Sequence, residues 1–128
     1  MTVEFNHTIV WSRDAKASAR FLAGILGLPE PSKVYHFEVV TTANGVSVDF
    51  ADTEDEIRTQ HYAFMVSEEE FDAIFSRIRE RGLAYWADPA RTKPGEINHH
   101  DSGRGVYFRD PSGHLLEIIT RPYGSGGG

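Results

Sequence analysis

The feature that most constrains the fold of this sequence is an internal repeat. A pattern typical of an amphipathic helix runs from Ser12 to Gly27 in the first half and from Ser67 to Gly82 in the second, with the same spacing of 15 residues. Each helix pattern follows an apolar segment typical of a strand, Glu4 to Trp11 in the first half and Gln60 to Val66 in the second. Two matched pairs of elements in the same order predict two copies of one structural module.

Both helix patterns begin and end with known signals. Ser67, with Glu70 three residues later, has the pattern of a capping box, and either Ser12 or Asp14 is suited to cap the first helix. The glycine that closes each pattern is suited to the left-handed conformation common just beyond a helix. Apolar residues at helical spacing supply a buried face in each half: Phe21, Leu22, Ile25 and Leu26, then Phe71, Ile74, Phe75 and Ile78.

Shorter apolar segments predict the remaining strands. Asn44-Gly45 is a strong hairpin signal, because both turn positions favour positive φ, and Asp110 to Gly113 is a second turn sequence. The strands are predicted at Val34 to Thr42, Val46 to Ala51, Leu83 to Trp86, Gly105 to Arg109 and His114 to Arg121. The chain is therefore interpreted as two tandem βαβββ modules, residues 3–52 and 59–123.

The two modules place polar residues at equivalent positions. The first strand of each module carries a histidine, His7 or His61. Four residues after the glycine of each turn stands a carboxylate, Asp49 in the first module and Glu117 in the second. If the modules pack side by side, equivalent strand positions bring these residues to one place.

Length and charge limit the classes of function. A chain of 128 residues is long enough for one continuous core, so residues 1–123 are predicted to form a single domain, with Gly124 to Gly128 as a flexible tail. The net charge of −6 and the lack of a clustered basic stripe argue against nucleic acid as a partner. No apolar run approaches the ~20 residues of a membrane span, and no signal-peptide pattern opens the chain. Cysteine is absent, which excludes disulfides and thiolate ligands, and the cytoplasm is the expected compartment.

Glu117 is the polar residue that most needs a partner. It lies in a strand predicted to be buried on both faces, so its carboxylate must be in a salt bridge, hydrogen-bonded or bound to a metal. Taken singly, His7 and His61 are better interpreted as core histidines bonded to a backbone carbonyl. Taken together, two imidazoles and a carboxylate are the set that holds non-haem iron and similar metals with coordination positions left open. Asp49 is a further ligand, a hydrogen-bond acceptor for a histidine, or a polar residue facing the pocket.

The C-terminal part of the sequence resembles a known family. The run from Gly103 to Glu117, GRGVYFRDPSGHLLE, is similar to the closing motif of the vicinal-oxygen-chelate superfamily, which includes glyoxalases, bleomycin-resistance proteins and dioxygenases. Phe5-Asn6-His7 and Gln60-His61-Tyr62 resemble the two histidine strands of those proteins. The resemblance covers residues 3–123.

This resemblance implies an α+β fold in which the modules form a cup-shaped mixed sheet around a metal held by His7, His61 and Glu117. It implies a divalent ion (Mn, Fe, Ni or Zn), a homodimer, and an enzyme acting on a small molecule that chelates the metal through neighbouring oxygens. Lyase, glutathione transferase-type and dioxygenase-type reactions all suit such a site. Asp49 departs from the glutamate that glyoxalase I members carry at the fourth place. The alternative is a resistance protein that sequesters an antibiotic or natural product without catalysis.

Other residues are candidates for contact with the small molecule. The predicted ligand-binding residues are Tyr35, Trp86, Tyr107, Arg121 and Tyr123, although aromatic residues are often simply core and Arg121 suits a surface salt bridge as well. The long segment from Ala87 to Gly103 is interpreted as a lid or pocket wall. Within it, His99 and His100 are suited to shuttle protons, and His100 joins Glu117 as a predicted catalytic residue. His114 is assigned to a turn.

Overall fold

The computed structural model describes residues 2–126, and the chain divides into two compact units between Arg58 and Thr59. This boundary falls between the two modules predicted from the sequence. Gly127 and Gly128, the end of the predicted tail, lie outside the described residues. Within residues 2–126, neither helix is both long and apolar enough to cross a membrane.

The first unit is a four-stranded mixed sheet with one helix. Its elements are β1 (His7–Ser12), α1 (Ala15–Leu26), β2 (Ser32–Val34), β3 (Phe37–Thr41) and β4 (Ser47–Asp52). The strand order is β1-β4-β3-β2, with β1 and β4 parallel and the other neighbours antiparallel. The first strand of the unit therefore pairs with its last.

The second unit repeats this arrangement. Its elements are β5 (His61–Met65), α2 (Glu68–Glu80), β6 (Tyr85–Trp86), β7 (Gly105–Arg109) and β8 (Leu115–Ile119). The strand order is β5-β8-β7-β6, again with the first and last strands parallel. The predicted α+β fold of two βαβββ modules is confirmed, with one four-stranded sheet in each unit.

The helix caps follow the sequence signals. Asp14 is the N-cap of α1, since its Oδ1 accepts the Ala17 N–H at 3.0 Å, whereas Ser12 is the buried end of β1. Ser67 and Glu70 form the predicted capping box of α2, with distances of 2.9 and 3.0 Å. Gly27 ends α1 in the left-handed conformation, with φ 72°. Such bonds satisfy backbone N–H groups that have no partner inside a helix.

One predicted strand is in fact a hairpin. The segment from Val34 to Thr42 breaks at Tyr35 and His36, which form a two-residue turn between β2 and β3. The prediction of a continuous strand there is wrong, because this turn has Tyr35 at φ 54° in place of the expected Asn or Gly. The hairpin at Asn44-Gly45 forms as predicted, with the Thr42 N–H donating to the Val46 carbonyl at 2.8 Å, but of these two turn residues only Gly45 has a positive φ, 82°.

Each unit has its own apolar core. The helix of the first unit packs against β3 and β4, and α2 supplies three fully buried side chains to the second. The largest fully buried apolar residues are Leu22, Ile25, Phe71, Ile74, Ile78, Phe108 and Ile118. These are mainly residues that the helical and strand periodicity assigned to the interior.

The turn between β7 and β8 is flanked by two buried polar residues, Asp110 and His114. Asp110 Oδ1 accepts the backbone N–H groups of Ser112 and His114, each at 2.9 Å. His114 is 1% exposed, and its Nδ1 accepts the Gln60 N–H at 3.0 Å. His114 is thus more than the turn residue expected from the sequence, because it also fastens β5 to the start of β8. Burial raises the pKa of the Asp110 carboxyl above its ordinary value.

We expect Asp110→Asn to change how stability depends on pH. A carboxyl whose folded pKa is raised stabilises the fold below its ordinary pKa of 3.8, and this contribution is lost as the pH rises through the folded pKa. Asparagine keeps the Oδ1 acceptor and carries no charge. The stability of the variant relative to the wild type should therefore increase as the pH rises from about 3.8 to the folded pKa. The increase should be about 1.4 kcal/mol for each tenfold difference in proton affinity between the folded and unfolded carboxyl. Urea unfolding at several pH values measures this gain, and a constant difference would contradict it.

Candidate functional site

Glu117 is a buried carboxylate at the centre of the second sheet. It lies on β8 opposite Ala63 of β5 and Tyr107 of β7, and it is 1% exposed. Because a buried charge is costly unless other groups compensate it, the contacts of its two oxygens define the site.

One oxygen of Glu117 faces a histidine. The Nε2 atom of His61, at the start of β5, lies 2.9 Å from Glu117 Oε1. At this distance the Nε2–H of the imidazole donates a hydrogen bond to the carboxylate. Two ligands at right angles on a metal, with bonds of about 2.1 Å, lie about 3 Å apart, so the same two atoms suit adjacent positions on a divalent ion. The structure thus brings two of the three predicted ligands together.

The other oxygen of Glu117 is held by tyrosines. The Tyr123 hydroxyl donates a hydrogen bond to Glu117 Oε2, and the hydroxyls of Tyr107 and Tyr123 are 3.0 Å apart. Burial is the main cause that raises the pKa of both phenols, and for Tyr123 the contact with Glu117 raises the pKa further. Both residues are therefore neutral hydrogen-bond donors at physiological pH.

The first unit carries the third predicted ligand. His7 is the exposed first residue of β1, and its Nδ1 lies 2.7 Å from the side-chain oxygen of Asn6. Asp49 accepts a hydrogen bond from the Ser47 hydroxyl at 2.8 Å. Because His7 pairs with Ser47, and residues two apart on a strand share a face, His7 and Asp49 lie on the same face of this sheet.

The described part of the chain, residues 2–126, contains no group of three or more His, Asp or Glu residues placed to hold a metal ion. His61 and Glu117 are a pair in this structure. The assignment of His7 as a ligand stays a prediction, and Asp49 keeps the three roles considered from the sequence: further ligand, acceptor for a histidine, or polar residue facing the pocket.

The other predicted site residues are divided between the units. Trp86 lies on β6 opposite Tyr107, with the Arg109 guanidinium 5.9 Å from the centre of its ring. The His100 ring meets the Tyr123 ring edge-on at 6.4 Å. Two further candidates, Tyr35 and Arg121, are exposed. Tyr35 is 88% exposed at the tip of the β2–β3 hairpin in the first unit, and Arg121 is exposed and donates to the Ser125 carbonyl at 3.4 Å.

The long segment between β6 and β7 is more ordered than a loop of its length suggests. Asn98 exchanges two backbone hydrogen bonds with Gly105, at 2.9 and 3.0 Å, and its side chain donates to the Ala87 carbonyl at 2.8 Å. A short turn, His100–Ser102, follows. The segment is thus fastened to the sheet along much of its length, and its role as a lid stays a prediction.

Asp101 is a site-related residue that sequence reasoning missed. Its carboxylate accepts the backbone N–H groups of Gly124, at 3.1 Å, and Gly126, at 3.3 Å. These bonds fix the residues just after Tyr123, in a segment that was predicted to begin a flexible tail. A sequence pattern does not predict such a contact, because it joins Asp101 to two glycines that lie 23 and 25 residues further along the chain, outside the helices and strands.

Comparisons with known proteins identify a matching family model and several similar proteins. The sequence model of the Glyoxalase/Bleomycin resistance protein/Dioxygenase superfamily matches residues 4–118. A solved structure named Oxidase ChaP-H2 is 63% identical, with a TM-score of 0.97, and the match covers 99% of this chain and 100% of that one.

Two curated relatives match over shorter stretches. Metallothiol transferase FosB of Shouchella clausii (strain KSM-K16) is 42% identical over 47% of this chain, and Glutathione transferase FosA of Serratia marcescens is 34% identical over 45%. These matches span 37% and 34% of the two relatives, little more than a third of their length.

Proposed function

Because this chain belongs to the Glyoxalase/Bleomycin resistance protein/Dioxygenase superfamily, we propose that it is a divalent-metal-dependent enzyme. Its substrate would be a small molecule that binds the metal through two neighbouring oxygens. The observation that carries this proposal is the 2.9 Å distance between Oε1 of the buried Glu117 and Nε2 of His61, whose side chain is partly exposed. A buried ion pair contributes little to the stability of a fold. A buried carboxylate beside an imidazole at the spacing of two metal ligands is therefore better explained by metal binding than by stability.

The proposed ligand set is His7, His61 and Glu117. Two nitrogens and one oxygen suit Mn, Fe, Ni or Zn and leave coordination positions for a substrate. Asp49 shares the sheet face of His7 and is proposed as a polar neighbour of the site. A cytoplasmic homodimer is part of the same proposal.

The residues around the pair have separate roles in this proposal. When bound, the metal supplies Lewis-acid chemistry that stabilises negative charge on a substrate oxygen. Tyr123 donates to Glu117 Oε2 and so orients the carboxylate. The Tyr107 hydroxyl is hydrogen-bonded to the Tyr123 hydroxyl. Trp86, which lies opposite Tyr107 on the neighbouring strand, offers an aromatic surface beside Tyr107. His100, edge-on to Tyr123, is the proposed proton carrier.

The names of the relatives narrow the reaction class. The curated relatives FosB and FosA are named transferases, and the full-length structural relative is named an oxidase. We propose a transferase-type or dioxygenase-type reaction on this basis. None of these names favours the alternative in which the protein only sequesters a natural product.

Metal analysis tests the proposal. The purified protein, loaded in turn with manganese, iron, nickel or zinc and then desalted, is expected to retain one ion per chain of at least one of them. His7→Ala, His61→Ala and Glu117→Ala should each weaken binding at least about ten-fold, because even the loss of residues that only support ligands has an effect of this size.

His36→Ala is the matched control, since His36 is an exposed histidine of the first unit outside the proposed ligand set. It should bind metal like the wild type. Retention of wild-type affinity by all three ligand variants would refute the site, and failure of the wild type to bind any of the four metals would refute metal dependence.

A further inference from the structure

The position of Tyr123 is unusual for a residue that holds a buried group. Tyr123 is 55% exposed, yet its hydroxyl reaches Glu117, which is 1% exposed. It lies four residues beyond the end of β8, in a turn outside the helices and strands. A tyrosine in such a segment depends on contacts from other parts of the fold, because no sheet or helix hydrogen bonds hold its backbone.

Asp101 provides that support. Its Oδ2 accepts the N–H of Gly124, the residue next to Tyr123, and its Oδ1 accepts the N–H of Gly126. One carboxylate therefore binds the backbone on the C-terminal side of Tyr123 at two points. Hydrogen bonds from backbone N–H groups to an ionised carboxylate are stronger than those between neutral groups.

The backbone around Asp101 is strained. Asp101 and Ser102 are consecutive non-glycine residues in the left-handed region, with φ of 55° and 62°. Such conformations persist only where the surrounding structure enforces them, and they are concentrated at functional sites. Here the left-handed residue Asp101 is the one whose carboxylate binds the backbone of Gly124 and Gly126.

We propose that Asp101 is a positioning residue that acts on Glu117 through Tyr123. By holding Gly124 and Gly126, it fixes the Tyr123 hydroxyl on Glu117 Oε2, so that Oε1, the oxygen beside His61, is the one presented to a ligand. The consequence for metal affinity rests on the proposed function. The positioning itself is a property of the metal-free protein.

The metal-free arm of the test uses Asp101→Gly and Tyr123→Phe. Glycine adopts the left-handed conformation without strain, so Asp101→Gly removes the carboxylate without endangering the fold. Amide hydrogen exchange at Gly124 and Gly126 should become at least about ten-fold faster in this variant. The ¹³C resonance of the Glu117 carboxyl should shift in the same direction in both variants. In the double variant it should shift no further than in Tyr123→Phe.

Arg91→Gly is the matched control. Arg91 also has a left-handed backbone, with φ 61°, in the same loop, and its Nη1 donates to the nearby Pro89 carbonyl. This variant should leave both the exchange rates and the Glu117 resonance unchanged. Asp101→Asn keeps one acceptor oxygen and should give intermediate values.

The metal-loaded arm measures affinity by competition with a chelator. Asp101→Gly and Tyr123→Phe should each lower affinity about ten-fold, and the double variant should lose no more than Tyr123→Phe alone. The proposal would be overturned if the losses of metal affinity multiplied in the double variant. It would also be overturned if the Glu117 resonance were unchanged in Asp101→Gly. A wild type that takes up no metal would refute the proposed function, while the metal-free arm would still decide whether Asp101 positions Tyr123.

Discussion

Replacement of Glu117 by glutamine is expected to lower metal affinity by more than about 100-fold, beyond the range seen when only a supporting residue is lost. At the same time it should leave the metal-free protein as stable as the wild type or more so. The amide oxygen can accept from Tyr123, and the amide nitrogen can donate to His61 Nε2 once the imidazole adopts its other tautomer. The hydrogen bonds are thus preserved, while a buried negative charge is removed.

Thermal unfolding with and without metal separates the two effects. A ligand at 100 times its dissociation constant stabilises a protein by about 2.7 kcal/mol, so metal should raise the melting temperature of the wild type and not of Glu117→Gln. Glu38→Gln is the control, because Glu38 is outside the proposed ligand set and pairs with Lys33. An equal metal-induced shift in Glu117→Gln would exclude Glu117 as a ligand.

Replacement of Phe71 by alanine should destabilise the second unit severely. Phe71 is fully buried on α2, and the Arg104 guanidinium lies 4.3 Å from the centre of its ring. Truncation of a phenylalanine in a core costs about 3–5 kcal/mol, a large part of the ~5–15 kcal/mol that stabilises a typical domain. Urea unfolding measured on the metal-free protein would show the loss directly.

The next turn of the same helix offers the control. Phe75 also packs on its neighbours, with its ring edge-on to Tyr85 at 5.0 Å, but it is only partly buried. Phe75→Ala should cost clearly less than Phe71→Ala, because less of its area leaves water on folding. If the two variants lost the same free energy of unfolding, the extent of burial would not determine how much each phenylalanine stabilises this core.

The periodic elements were predictable because their signals are local. The capping box at Ser67, the helix end at Gly27 and the Asn44-Gly45 hairpin each depend on residues a few positions apart. All three are present, although Asn44 lacks the positive φ that its residue type favours. The β2–β3 turn was not predictable, because Tyr35 takes a backbone conformation that its residue type disfavours. Only tertiary context selects such a conformation.

The candidate site was predictable in part for the same reason. His61 and Glu117 stand on strands whose pairing follows from the repeat, and the structure places them in contact. The Asp101 contact with the segment after Tyr123 depends on two irregular segments, for which the sequence carries no periodic signal. The place of His7 in a metal site remains a prediction.

The pairing of the first strand of each unit with its last has a consequence for synthesis on the ribosome. From the end of β1 to the start of β4 the chain advances 35 residues, and from the end of β5 to the start of β8 it advances 50. At about 5–20 residues per second, β5 therefore waits roughly 2.5–10 s for its partner strand to be made. During that interval the nascent chain presents an unpaired apolar strand edge, so the second half of the protein is where translation speed and chaperone access should most affect the yield of folded product.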